Sequence, residues 1–153
     1  MRRLQVYLAA PWAHKHEAQR VVWWLKRHEI SITSRWLDFV GDSTDPVVLR
    51  REATRDWKDL SRSDVLVLLN MALSEGKAVE QGLALAWGKP IIGMPGPAHN
   101  VFHHLPAPAY TWVPTIDEVL KILRRHQETL DRGEVLVSWP TSFSSVVRIR
   151  DTG

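Results

Sequence analysis

The sequence predicts an α/β domain: a parallel sheet of five strands sandwiched by helices. Three observations carry this expectation. Asp64-Val-Leu-Val-Leu-Leu-Asn70 is an unbroken apolar run between polar ends, which is the pattern of a strand buried on both faces. Residues 78–87 then place Val79, Leu83, Ala86 and Trp87 at helical spacing, close on Gly88-Lys89-Pro90 and lead into Ile91-Ile92, so strand, helix and strand form a βαβ unit. Residues 4–10, followed by a helical pattern from Glu17, make a second unit of the same kind.

Taken in order, residues 4–10 are the first strand, and Pro11 to His16 a loop leading into a helix over about 17–28. Ala18, Val21, Val22 and Leu25 turn inward, and Lys26, Arg27 and His28 stand in the last turn, where cations suit the helix dipole. Residues 30–34 form the second strand, and Arg35-Trp36-Leu37-Asp38-Phe39 its exit. Residues 41–46 are turn-forming and read as a lid or substrate loop. A helix over 46–62 places Val48, Leu49, Ala53, Trp57 and Leu60 on one side, which points Asp56 toward protein and Asp59 toward solvent. After the central βαβ unit comes a Pro-bounded loop, 96–106, rich in His and apolar residues. Residues 110–113 are a last strand, Thr115 an N-cap, and 117–132 the closing helix. The domain is therefore expected to span 1–132, with 133–153, Ser-rich and weakly strand-like, as an edge strand or tail.

A chain of 153 residues with 44% hydrophobic residues is one domain with enough apolar mass for a core on both sides of a sheet. It has no Cys, no run of about 20 apolar residues and no signal-peptide pattern; the expected place is the cytoplasm, without membrane contact. The net charge of +3 comes from basic residues scattered among acids, which fits a small anionic ligand and not a nucleic-acid polymer. Eight Trp are more than a core of this size needs; flat aromatic faces serve subunit interfaces and also stack on nucleobases.

For chemistry, the strongest candidate is Glu80, placed after the central strand at the edge of the sheet where ligands bind in such folds. As a first-turn acid it would only complement the helix dipole. However, Tyr7, Asp56 and Ser74 come from the ends of other elements on the same edge. Paired carboxylates are what cleavage of a glycosidic bond needs, one at the oxocarbenium-like carbon and the other at the leaving group. The histidines lack metal-ligand spacing and no Cys assists them, so no metal or other cofactor is expected. Gly76-Lys77 lacks the rest of a phosphate-binding P-loop, and no Gly-x-Gly-x-x-Gly follows the first strand.

Tyr7-Leu8-Ala9-Ala10-Pro11, Asp56-x-x-x-Leu60-x-x-Ser63-Asp64 and Gly76-Lys77-Ala78-Val79-Glu80-Gln81-Gly82-x-Ala84-x-Ala86-x-Gly88-Lys89-Pro90 resemble the nucleoside 2-deoxyribosyltransferase superfamily, which includes 2′-deoxynucleoside 5′-phosphate N-hydrolases and cytidine monophosphate hydrolases. The resemblance runs from about Val6 to Leu105. It implies a flavodoxin-like sheet, Glu80 as nucleophile at C1′, Asp56 as its helper and Tyr7 orienting the glutamate. Six residues before the nucleophile the transferases carry an acid for the free 5′-hydroxyl, whereas the monophosphate hydrolases carry Ser, as here at Ser74. The resemblance further implies a homodimer or larger homo-oligomer, with a neighbour's loop completing the pocket where Asn100, His103 and His104 fall. Pro11, Trp12, Trp36, Ser74 and Gly76 complete the expected substrate contacts. The expected activity is therefore cleavage or transfer at the N-glycosidic bond of a nucleoside or its 5′-monophosphate through a glycosyl-Glu80 intermediate, hydrolysis being favoured. The rival is a non-catalytic nucleotide-binding module, in which Glu80 holds a ribose hydroxyl.

Overall fold

The computed structural model describes residues 2–39 and 44–136. Five strands, β1 (Gln5–Ala9), β2 (Ser31–Ile32), β3 (Val65–Leu69), β4 (Ile91–Met94) and β5 (Tyr110–Trp112), form one sheet in the order β2-β1-β3-β4-β5 with every pairing parallel. Four helices, α1 (Lys15–Arg27), α2 (Pro46–Arg62), α3 (Glu75–Ala86) and α4 (Ile116–Asp131), complete the domain. All five residues of β3 are buried, as its unbroken apolar run requires of a central strand covered on both faces. The chain leaves β1 for β2 on one side and returns to β3 on the other. Right-handed crossovers then put α1 and α2 on opposite faces, and the order reverses between β1 and β3, opening a crevice at their carboxyl ends.

The strands and α2 lie where the sequence puts them, but the inward faces of α2 and α3 do not. Ala53 is exposed and Trp57 is 54% exposed, whereas Asp59, expected in solvent, is 2% exposed. Arg35, from the turn after β2, is the cause: its Nε donates to both Asp59 carboxylate oxygens at 2.9 Å and its Nη2 to Oδ1 at 2.6 Å, which neutralises a charge that burial alone would forbid. On α3 the buried residues are Lys77, Gln81 and Ala84, while Val79 and Trp87, placed inward by their spacing, are 62% and 37% exposed. Helix α3 also starts three residues earlier than its apolar spacing predicts, because the Ser74 hydroxyl accepts from Lys77 N–H and caps it. The loop after β4 forms a short 3-10 turn over Val101–His104. Gly96 lies so close to the end of β3 that a Cβ there would come 1.8 Å from the Asn70 carbonyl oxygen; only glycine fits. Residues 133–136 join no strand or helix. The rest of the expected edge strand or tail, and residues 41–43 of the expected lid, lie outside the described residues. No described helix is long and apolar enough to cross a membrane.

Candidate active site

Tyr7 stands in the middle of β1, completely buried, and its hydroxyl donates to Glu80 Oε1 at 2.6 Å. The early start of α3 puts Glu80 in its second turn, one turn beyond the capped end. The loops after β1 and β2 add Trp12, Trp36 and Phe39, α2 adds Leu49, Glu52 and Asp56, and the start of α3 adds Ser74, Gly76 and Lys77, around a cavity of about 300 Å³. That volume is at the small end for small-molecule sites. Trp36 is fixed because its indole N–H donates to Leu8 O at 2.9 Å. Trp12 leans on Trp36 and Phe39 with ring centroids 6.1 and 5.9 Å away. The cavity thus combines apolar aromatic rings with the carboxylates of Glu52, Asp56 and Glu80, a lining suited to a ligand with one flat and one polar end.

The electrostatics separate the carboxylates. Burial pushes Glu80 up to about 8, with the Asp56 charge adding to it, and the Tyr7 hydrogen bond and the Lys77 cation pulling the other way. Burial also pushes Asp56 up to about 6, helped by the negative charges of Asp59 and Glu52 and opposed by Arg55 and Arg35. Tyr7 is held far above its ordinary range, by burial first and then by the Glu80 charge, so it remains a donor. Among the described residues, Asp56 Oδ1 is a buried side-chain oxygen without a hydrogen-bond partner. A native protein seldom tolerates that outside a site that a ligand completes.

The structure thus brings Tyr7, Trp12, Trp36, Asp56, Ser74, Gly76 and Glu80 together. Pro11 is buried beside the cavity's first loop and does not line it. Asn100, His103 and His104 lie elsewhere in this subunit. Asn100 Oδ1 accepts from Phe102 N–H at 2.9 Å to cap the 3-10 turn. His103 is buried, its Nδ1 accepting from Asn100 N–H at 3.3 Å and its Nε2 bonded to Gln81 Oε1 at 2.8 Å. The same Gln81 oxygen accepts from Tyr110 O–H at 2.8 Å, while Gln81 Nε2 donates to Lys77 O at 3.0 Å. His104 is exposed. Glu52, Leu49, Phe39 and Lys77 escaped the sequence reading. Glu52 was accessible, being one helical turn before Asp56 on the same face.

No family model and no curated protein matches the chain. Among solved structures it is similar to a 2-deoxyribosyltransferase from the psychrotolerant bacterium Bacillus psychrosaccharolyticus, at TM-score 0.57 and 16% identity over 76% of this chain and 90% of that one. It is likewise similar to the CMP N-glycosidase of Clostridium botulinum, at TM-score 0.53 and 19% identity over 79% of this chain and 98% of that one. At such identities what is shared is the fold. The chain has the flavodoxin-like architecture expected from its motifs, and it spans nearly the whole of both enzymes.

Proposed function

We propose that this protein belongs to the nucleoside 2-deoxyribosyltransferase superfamily and cleaves the N-glycosidic bond of a nucleoside 5′-monophosphate. The observation that carries the reading is the Tyr7–Glu80 hydrogen bond in the same cavity as the unpartnered Asp56 Oδ1. A Glu80 oxygen attacks C1′ as the C1′–N bond breaks, and the departing electron pair stays on the base nitrogen, which takes the proton of the Asp56 carboxyl. Water, deprotonated by the Asp56 carboxylate, then opens the glycosyl ester and restores Glu80; a second base in place of water would make the reaction a transfer. Tyr7 keeps one Glu80 oxygen fixed, leaving the other to react. The enzymes named above share the fold, and Ser74 in place of an acid favours a phosphate at the 5′ position.

Incubation of the protein with each nucleoside and each 5′-monophosphate, followed by chromatography for free base, tests the reaction. Base release from none of them leaves the binding module. A 5′-monophosphate is expected to react at least about tenfold faster in kcat/KM than its nucleoside, since one charge-assisted hydrogen bond to phosphate contributes roughly 1.5–3 kcal/mol. Ser74→Asp should shrink that ratio. Asp caps a helix as well as Ser does, so α3 survives, while the added charge repels a phosphate and leaves a neutral 5′-hydroxyl bound. Equal losses on both substrates would reject the phosphate assignment.

Assembly is part of the same reading. Val101 and Phe102 are 77% and 60% exposed on a turn braced by capping bonds, a rigid apolar surface suited to a second copy of this chain. Sedimentation at micromolar concentration should find a dimer or larger oligomer, and Phe102→Asp should shift it toward monomer. A monomeric wild type would reject the interface.

A further inference from the structure

Lys77 is a cation enclosed by neutral groups. Its side chain lies beneath the first turn of α3, 4% exposed, and its ammonium donates to Asn70 Oδ1 at 2.7 Å and to Ala72 O at 2.6 Å. Among the described residues no carboxylate lies within ion-pair distance of it. Glu80 is the one acid whose charge favours its ionised form, and burial drives Glu80 itself toward neutrality. A buried ammonium with carbonyl partners alone has lost hydration without gaining a counter-charge. Two of its three N–H groups are engaged, and the residue lines the cavity beside Ser74 and Gly76. The aromatic wall comes from the loops after β1 and β2. The cation comes from the first turn of α3.

We infer that Lys77 is the specificity-determining residue that supplies the counter-charge for an anionic, phosphate-bearing end of the substrate. This rests on the function proposed above. With a nucleobase against the tryptophans and C1′ at Glu80, the 5′ end of the sugar falls toward the start of α3. There a phosphate meets the Ser74 hydroxyl, the free N–H groups of the helix end and the Lys77 charge together. The competing role is structural: Lys77 only ties the 70–72 loop to α3. That role has no reason to distinguish a charged sugar from a neutral one.

Titration calorimetry with ribose 5-phosphate and with ribose separates the two roles without turnover. The wild type should bind the phosphate at least about tenfold more tightly than ribose. Lys77→Met should lose most of that ratio, and Lys77→Arg should retain part of it. A ratio that Lys77→Met leaves unchanged, or equal losses on both ligands, overturns the inference. If Lys77→Met fails to melt cooperatively, the wild-type ratio and Lys77→Arg still decide, because a wild type without preference for the phosphate rejects it. A Lys77-dependent preference in a protein that releases no base keeps this assignment and removes the glycosidase reading. Base release with no preference for the phosphate in binding does the reverse.

Discussion

Glu80→Gln is expected to stop base release and, at the same time, to raise the melting temperature at pH 8. The amide keeps the shape and can still accept from Tyr7 O–H, but it is a far poorer nucleophile, and loss of a covalent nucleophile costs on the order of 10³-fold or more in kcat. The gain in stability follows from the carboxyl's displacement to about 8 from an ordinary value of 4.5. Below about pH 4.5 the carboxyl is protonated in both folded and unfolded chains and there is no penalty. Between 4.5 and 8 the unfolded chain ionises while the folded one holds its proton, so stability falls as pH rises, by ~3–5 kcal/mol in all. Gln carries no such dependence. The melting-temperature gap between variant and wild type should therefore open from pH 5 to pH 8 and reach ~5–10 °C. Near-normal turnover in the variant would reject the covalent route, and a gap that ignores pH would reject the buried charge.

Base release should follow a bell-shaped pH profile in kcat/KM, with limbs near 6 and 8. Burial first drives Asp56 and Glu80 to about 6 and about 8, and the Asp56 charge adds to the rise of Glu80. The reactive form of the pair holds one proton, on Asp56 for the leaving base with Glu80 ionised for attack. Since Glu80 is the weaker acid, the resting proton stands on Glu80 between about 6 and about 8 and the reactive form is the minor one. Below about 6 both carboxyls are protonated and the nucleophile is lost; above about 8 both are ionised and the acid is lost. Asp56→Asn should cut kcat/KM by roughly 10²–10⁴-fold and abolish the alkaline limb. The limb that remains should be the ionisation of Glu80 itself, a little below about 8 because the Asp56 charge no longer opposes it, so the acid limb moves up from about 6. A 4-nitrophenyl deoxyriboside 5-phosphate, whose leaving group departs without a proton, should suffer much less. A flat profile from pH 5 to 9 would remove Asp56 from the reaction.

The strands were legible because residues buried on both faces leave an unbroken apolar run. The span of α2 was legible because the turn-forming residues 41–46 give way at Pro46 to apolar residues at helical spacing; the Asp45 side chain that caps its start is a finding of the structure. The orientation of α2 and α3 was not. Both helices present polar side chains to a cavity, so their apolar periodicity points outward. Trp57 and Trp87 meet edge to face at 5.0 Å on the surface that a periodicity argument would call core. Asp59 depended on Arg35, 24 residues earlier, and His103 on Gln81, 22 residues earlier. Such partners are visible only after the chain has folded. Glu80, Asp56, Tyr7 and Ser74 were legible as a group through the motifs that resemble one family; of the four only Ser74 stands at an element's end, since Tyr7 is central in β1, Asp56 lies inside α2 and Glu80 is in the second turn of α3.

Glu80 and Gln81 are neighbours in the chain, yet they face different parts of the protein, and this gives the helix that carries them the properties of a keyed shaft. An unkeyed helix lying on apolar side chains can roll a few degrees or slide a fraction of a turn at little cost. Gln81 prevents both motions, because its single carbonyl oxygen is held by Tyr110 on β5 and by His103 on the 3-10 turn, two directions that fix rotation and translation together. The aim of the carboxylate at residue 80 is thus set by the residue beside it, through contacts on the far strand of the sheet. Precision at the cavity is machined at the opposite edge of the molecule.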